Sequence, residues 1–438
     1  MVDVVPFAGL LYNQGKAGHL SDLTAPPYDV IRPDMQEALY AKNPHNVVRL
    51  ILGKQFPEDS ATDNRYTRSA RDFKEWRRRG VLNKDNASSF YVYSQEYEYE
   101  GQKVVRNGFF ARVGLEEFSR GNICPHEFTL AKAKQDRAQL IRACRANFSP
   151  VFGLFSDPSR QVDARLQPIM NTDPIGEVTA DGVLNRLWRI TDPETLEFLS
   201  ASFADKKVYI ADGHHRYETA LGYWQEYGQE VPESRWVLMF LTNLDAEGLA
   251  IYPIHRQVKL DGGLDGRFGA GSGRQTFESR LREFFDIEPQ PKNAGTQELL
   301  DALSQAGQGG IAFAACFGGG DALLLKLKDP KGVIPHMPKD DPQEIIHLGV
   351  YQLHTLALNH ILGVDTKTPE GQACMNYNVR SEEARKQVDE GLYDLVFLMN
   401  PTPIEQVRAM AEKGIRLPQK ATYFYPKLLS GLVINPFE

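Results

Sequence analysis

The sequence has no apolar run approaching the roughly 20 residues that span a bilayer, so no membrane-spanning helix is expected from it. Its opening stretch, "MVDVVPFAGLLYNQG", shows no basic segment followed by an apolar core, and a secretory leader is not expected. The expectation is a cytoplasmic protein with no membrane partner. Cysteine is scarce: Cys124, Cys144, Cys316 and Cys374 are widely scattered and form no CxxC pair. They suit reduced, mostly packed thiols better than a zinc site or a disulfide framework. Positive charge is also in deficit, with 50 Lys and Arg against 57 Asp and Glu and a net charge of -7. Proteins that bind a duplex usually carry a basic face, so nucleic acid is not the expected partner. The densest basic run, "KEWRRRG" at 74–80, lies in a segment whose Ala70, Phe73 and Trp76 recur at helical spacing. It reads as the solvated face of an amphipathic helix.

What is present is a chain of 438 residues, 42% hydrophobic and 24% charged, long enough for two or three domains. Pro26 and Pro27 impose an extended approach, "RPDMQEALYAKN" reads as a helix and "VVRLIL" as a buried strand. "FYVYSQEYEYEGQKVVRNGFFARVGL" alternates around Glu-Gly as a hairpin does. "ITDPETLEFLSASFA" starts a helix with Asp192 as N-cap and Pro193 in the first position. The glycine-rich stretch 259–274 lacks the GxxxxGK[ST] order of a phosphate loop and reads as a flexible loop. It marks the expected boundary between a part spanning 1–258 and a part spanning 259–438. Beyond it come a helix at "QELLDALSQAG", strands at "GIAFAACF" and "DALLLKLKD", and one long helix at "EIIHLGVYQLHTLALNHILG". On that helix His347 and His354, seven apart, share a face, but zinc spacing is absent and packing is the better reading; no metal ligand set is assigned. The fold class is mixed, α+β.

The stretch "KVYIADGHHRYETALGYW" joins a short apolar strand directly to a helix through Asp212, Gly213, His214, His215 and Arg216. The first N–H groups of a helix lack intrahelical partners and attract anions. Gly213 lets a ligand approach the backbone, Arg216 can clamp phosphate oxygens, and the histidines can donate hydrogen bonds. Asp212 is repelled by a phosphate unless Mg²⁺ bridges them or it serves as a general base. The bland alternative is a turn in which Asp212 caps the helix.

Three further clusters carry similar chemistry. "PHEFTLAKAKQDR" gathers His126, Glu127, Thr129, Lys132, Lys134, Asp136 and Arg137; it is either a substrate or phosphate site, with His126 or Glu127 exchanging protons, or a charged surface loop. "APPYDVI" presents Asp29 on a rigid turn, where it either carries chemistry or caps a helix or turn, and "NPHN" offers Asn43, His45 and Asn46, which either line a pocket or form a turn between helix and strand. "LPQKATYFYPKLLSGL" supplies Lys420, Thr422, Tyr423, Tyr425 and Lys427, either a phosphate or carboxylate binder or a polar edge strand.

"ADGHHRYETAL", with "APPYDVI", "NPHNVVRLIL", "HEFTLAKAKQDR", "NFSPVFGLF", "PIHR" and "LPQKATYFYPKLLSGLV", identifies the chain as a member of the domain-of-unknown-function 1015 family. Its turn resembles those of sulfiredoxins and of ParB-like free-serine kinases. The resemblance implies a ParB/sulfiredoxin-like nucleotide-binding unit in the N-terminal part and a second α/β domain contributing a lysine-rich loop. It implies a phosphotransferase acting on a serine-like hydroxyl, with phosphates of a nucleotide or pyrophosphate donor on the turn, Mg²⁺ as cofactor and an acidic residue such as Asp29 as base. A phosphatase of similar chemistry and a ParB-like DNA-associated regulator are the alternatives. The second lacks a helix-turn-helix and the ParB arginine pair. Sulfinate reduction fails because the sulfiredoxin turn cysteine is a histidine here. The oligomeric state is not legible.

Overall fold

The computed structural model describes residues 1–99, 101–129 and 131–438. They divide into two compact units: Met1–Pro125, Thr129–Ala250 and Phe424–Glu438 form the first, and His126–Phe128 with Ile251–Tyr423 form the second.

The first unit is built on a nine-stranded sheet. In chain order its strands are β1 (Val4–Val5), β2 (Phe90–Tyr99), β3 (Gln102–Gly114), β4 (Ile123–Cys124), β5 (Val151–Phe155), β6 (Gly176–Ala180), β7 (Val183–Ile190), β8 (Val208–Asp212) and β9 (Trp236–Asn243). The spatial order is β4-β8-β5-β9-β3-β2-β7-β6, with β1 added to β3. β4 runs parallel to β8 and β5 parallel to β9; the other pairs are antiparallel. The β2–β3 hairpin expected around Glu-Gly forms, pairing Tyr91 with Phe110 through to Tyr99 with Gln102.

Side chains alternate across the sheet. Phe109, Ala111, Met239 and Leu241 join Val208, Ile210 and Tyr217 in one apolar core. The opposite face is aromatic: Tyr93 stacks on Phe110 at 5.1 Å, and Phe152 meets Phe240 at 5.5 Å and Phe424 at 5.7 Å. The C-terminal segment returns over this unit, Asn435–Pro436 pairing with Ala146–Asn147. The helices include α1 (Pro33–Lys42), α2 (Arg65–Arg78), α3 (Ala131–Cys144), α4 (Pro193–Ala201) and α5 (His214–Tyr227). Asp192 caps α4 as expected, accepting the Thr195 N–H at 2.9 Å.

The second unit holds a six-stranded antiparallel sheet of β10 (His255–Val258), β11 (Phe285–Pro289), β12 (Ala312–Phe317), β13 (Asp321–Leu327), β14 (Met375–Asn378) and β15 (Leu395–Met399), ordered β11-β13-β12-β15-β10-β14. Phe313, Ala315 and Phe317 face the core that holds Phe277 and Leu281, whereas Ala312, Ala314 and Cys316 pack with Leu299, Leu303, Ala384 and Val388. Period-two alternation thus separates two helical layers. The mixed α and β architecture is the one expected.

Three local expectations are corrected. "VVRLIL" forms a one-turn helix, Val48–Ile51, rather than a strand. Its apolar residues Val47, Val48, Leu50 and Ile51 are all buried, a run in which periodicity cannot separate strand from helix, and the Asn46 side chain accepts the Val48 N–H at 2.9 Å. The glycine-rich stretch is not a loop: it carries α6 (Gly263–Phe268) and starts α7 (Gly273–Phe284). The Asp265 carboxylate accepts the N–H groups of Gly271 and Gly273 and ties the two together. The long helix expected over 344–363 is broken into a 3₁₀ segment Gln343–His347, an α turn Gly349–Gln352 and a π-helical segment Leu353–Ile361, with Leu348 extended at φ -90°, ψ 121°. His347 is exposed and His354 buried, so they do not share a face.

Candidate functional site

The strand-to-helix turn forms where the sequence places it. Val208 and Ile210 on β8 and Tyr217 on α5 are fully buried, each contributing about 1.5–3 kcal/mol of transfer free energy. The Tyr217 hydroxyl donates to the Glu116 carbonyl at 2.9 Å and accepts the Glu116 N–H at 3.0 Å, fixing α5 against the sheet. A bulge between Ile210 and Asp212 breaks the alternation of β8 and re-aims the Asp212 carboxylate. Gly213 then caps α5 at φ +90° with no side-chain cap. A Cβ there would lie 2.9 Å from the Arg216 guanidinium, so glycine is required by the backbone angle and by the arginine folded over it.

Asp212 does not cap the helix. Its Oδ2 accepts from Arg216 Nη2 at 2.6 Å and its Oδ1 from Lys427 Nζ at 2.7 Å. Arg216 Nη1 also donates to the Pro150 carbonyl. All three side chains are mostly buried. Burial alone raises the Asp212 carboxyl, but the Lys427 ammonium and the Arg216 guanidinium, with a smaller effect from His214, carry it well below the usual carboxylate range. His214 is buried and His215 half-buried at the first two positions of α5.

A polar network that the sequence did not announce holds Lys427 in place. Arg106, on β3, donates from Nη1 to the Tyr425 carbonyl at 3.0 Å and from Nη2 to the Pro426 carbonyl and Gln95 Oε1. Gln95 Nε2 donates to the Lys427 carbonyl and to Asn185 Oδ1, both at 3.1 Å, and the Tyr93 hydroxyl donates to Asn185 Oδ1 at 2.5 Å. Arg106 lies 4.7 Å from the Phe152 ring centre.

Tyr28, Arg137, Arg216 and Thr219 line a cavity of about 50 Å³, so the turn, the first segment and α3 meet there. The Arg137 guanidinium stacks 3.8 Å from the centre of the Tyr28 ring. Asp29, the next residue, is exposed on a 3₁₀ turn. Asp136 is committed elsewhere, to ion pairs with Arg65 and Arg137 and to the Tyr66 hydroxyl at 2.6 Å. Lys134 pairs with Glu218 at 3.0 Å, which also accepts from Thr129 at 2.6 Å, and Lys132 is exposed. Asn43 shapes its own turn, donating to the Ala17 carbonyl and accepting the His45 N–H at 2.7 Å. The His45 ring packs against Trp76 at 5.5 Å, and burial lowers its pKa.

His126, Glu127, Lys420 and Thr422 form a separate cluster in the second unit. His126 is buried, with Nε2 2.9 Å from the Thr422 hydroxyl. Glu127 Oε1 accepts the Lys420 N–H at 2.9 Å, and its carbonyl accepts from Arg416 at 2.8 Å. The fully buried Arg256 donates to the Lys420 carbonyl at 2.7 Å and to His354 at 3.1 Å. Lys420, at φ +58°, is therefore gripped through its backbone on both sides.

Among the described residues no group of three or more His, Cys, Asp or Glu side chains can hold a metal ion. Both oxygens of Asp212 already accept from cations, and Mg²⁺ prefers carboxylate and phosphate oxygens together with its own waters. No described helix is long and apolar enough to cross a membrane.

A family model described as "Protein of unknown function (DUF1015)" matches residues 4–350, and the chain belongs to that family. No curated protein matches the sequence. Among solved structures, a mutant of a free serine kinase in complex with AMP is 14% identical, with 72% of this chain and 87% of that one covered and a TM-score of 0.35. A conserved hypothetical protein from Pyrococcus furiosus is 16% identical, with coverages of 73% and 92% and a TM-score of 0.34. C-terminally truncated SbnI from Staphylococcus aureus is 10% identical, with coverages of 74% and 86% and a TM-score of 0.35.

Proposed function

We propose that the protein is a small-molecule phosphotransferase. It holds the phosphates of a nucleotide or pyrophosphate donor at the Asp212–Arg216 turn and passes one phosphoryl group to a serine-like hydroxyl. The observation that carries this reading is the pair of cations, Arg216 and Lys427, fixed by Asp212 at the start of α5, where Gly213 offers no side-chain cap. Phosphoryl transfer depends mainly on positioning and charge neutralisation, and helix N-termini favour phosphate.

In this scheme the acceptor oxygen attacks the terminal phosphorus, the bond to the bridging oxygen breaks, and the hydroxyl proton passes to a carboxylate. Asp212 suits that last task poorly, since both oxygens accept from cations and its pKa is depressed. Asp212 is assigned to orienting Arg216 and Lys427. Asp29, exposed beside Tyr28, is assigned as the base.

The test is ³¹P NMR of the full chain with ATP, or pyrophosphate, and L-serine. A new phosphomonoester resonance that disappears in an Asp29→Asn variant supports the scheme. Release of inorganic phosphate alone points to hydrolysis instead. Unchanged donor with serine and a panel of small hydroxy acids contradicts the transferase reading.

A further inference from the structure

Arg106 is 1% exposed, yet among the described residues no carboxylate contacts it. Its partners are two carbonyls and one neutral amide, and its Nε has no hydrogen-bond partner. Burying a guanidinium without an opposing charge is unfavourable, and Arg106 is nonetheless held rigidly by Tyr425, Pro426 and Gln95. Burial draws its pKa down to about 10, so it stays protonated at neutral pH. The carboxylate whose field reaches it is Asp212, with the Tyr97 and Tyr93 hydroxyls as the other titratable groups nearby. Asp212 in turn already faces Lys427 and Arg216. Arg106 stacks on Phe152, the residue paired with Asp212 across the sheet. Its positive charge therefore stands behind the turn with no carboxylate of its own among the described residues.

We infer that Arg106 is a specificity-determining and positioning residue of the turn, whose surplus buried charge selects a dianionic phosphate monoester over a singly charged anion and whose guanidinium seats Lys427. This rests on the reading of the turn as a phosphate site and deepens it, by naming the charge class of the group held there. Arg106 does not touch the ligand. It fixes the carbonyls on either side of the Tyr425–Pro426 bond, and so the start of Lys427, and it adds to the potential at the turn. At an effective dielectric of about 20, a unit charge about 10 Å from a ligand is worth roughly tenfold in affinity for each added ligand charge.

Two small esters make the test at pH 8, read by ³¹P NMR titration of the full chain: methyl phosphate, a dianion, and dimethyl phosphate, a monoanion of similar shape. The intact protein is expected to prefer methyl phosphate by at least about tenfold. Arg106→Met, with its fold checked by circular dichroism, is expected to lose most of that preference. Arg106→Lys, which keeps the charge but not the fork, is expected to retain the preference while binding methyl phosphate more weakly, and Arg106→Gln tests the loss of charge if the methionine variant fails to fold. Equal binding of the two esters by the intact chain overturns the inference. So does a folded Arg106→Met that keeps the preference, or an Arg106→Lys that loses it. Failure of methyl phosphate, dimethyl phosphate and pyrophosphate alike to bind removes the phosphate reading itself.

Discussion

Lys427 reaches across 215 residues of sequence to place its ammonium 2.7 Å from Asp212 Oδ1, while Arg216, one helical turn after Asp212, takes the other oxygen at 2.6 Å. One carboxylate thereby aligns two cations from distant parts of the chain, one in a strand-to-helix turn and the other a C-terminal lysine. The chain segment 424–438 belongs to the same unit as the turn, so this ion triad is part of that unit's fold as well as its candidate chemistry.

Breaking the triad from the lysine side is expected to cost both stability and binding. Lys427→Met leaves Asp212 with Arg216 alone in a mostly buried setting, a loss of about 3 kcal/mol. Urea denaturation measures it directly. Binding of pyrophosphate to the folded variant is expected to weaken by more than about tenfold.

The same triad predicts a pH signature. The Asp212 carboxyl is depressed in the folded state, so its stabilisation is fully present above the unfolded carboxylate value of about 3.9 and is lost as pH falls below that value toward the folded one. The stability difference between the intact protein and Asp212→Asn is therefore expected to be flat above about pH 5 and to shrink below pH 4. A gap that persists unchanged to pH 2 contradicts an ionised, ion-paired Asp212.

Gly213→Ala tests the turn's geometry. At φ +90° an alanine costs about 1–2 kcal/mol, and its Cβ would sit 2.9 Å from the Arg216 guanidinium. A lowered melting temperature together with weakened phosphate binding is expected, because Arg216 must move. Loss of stability with unchanged binding would separate Arg216 from the ligand.

The thiols give an independent check. Burial pushes Cys144 and Cys316 up to about 12, and Cys124 is also buried. In the native protein at pH 8 an aromatic disulfide reagent is expected to modify Cys374 first, since it alone is half-buried. All four are expected to react at once in denaturant.

How far the sequence reveals the site depends on which contacts are local. The bounds of β8 and α5 follow from Val208, Ile210, Tyr217, Ala220 and Leu221, whose spacing states the element type directly. Asp192 and the β2–β3 hairpin were legible for the same reason. Val48–Ile51 was not, because a short run whose apolar residues are all buried has no period to read. The helices α6 and α7 hid behind glycines that cap and join them through Asp265. Arg106, Gln95 and Asn185 were invisible for a different reason: alternation shows that a strand has two faces, but not that residues 425–427 will cover one of them. Lys427 and Asp212 were each singled out from the sequence, whereas their pairing followed only from the fold.

The most direct measurement is calorimetric titration of the full chain and of Arg216→Ala with ATP, ADP and pyrophosphate, each with and without Mg²⁺. The account predicts saturable binding of at least one donor by the intact protein and its loss in the folded variant. Absence of binding by the intact protein to all of them, or equal binding by Arg216→Ala, would contradict the assignment of the turn to phosphate.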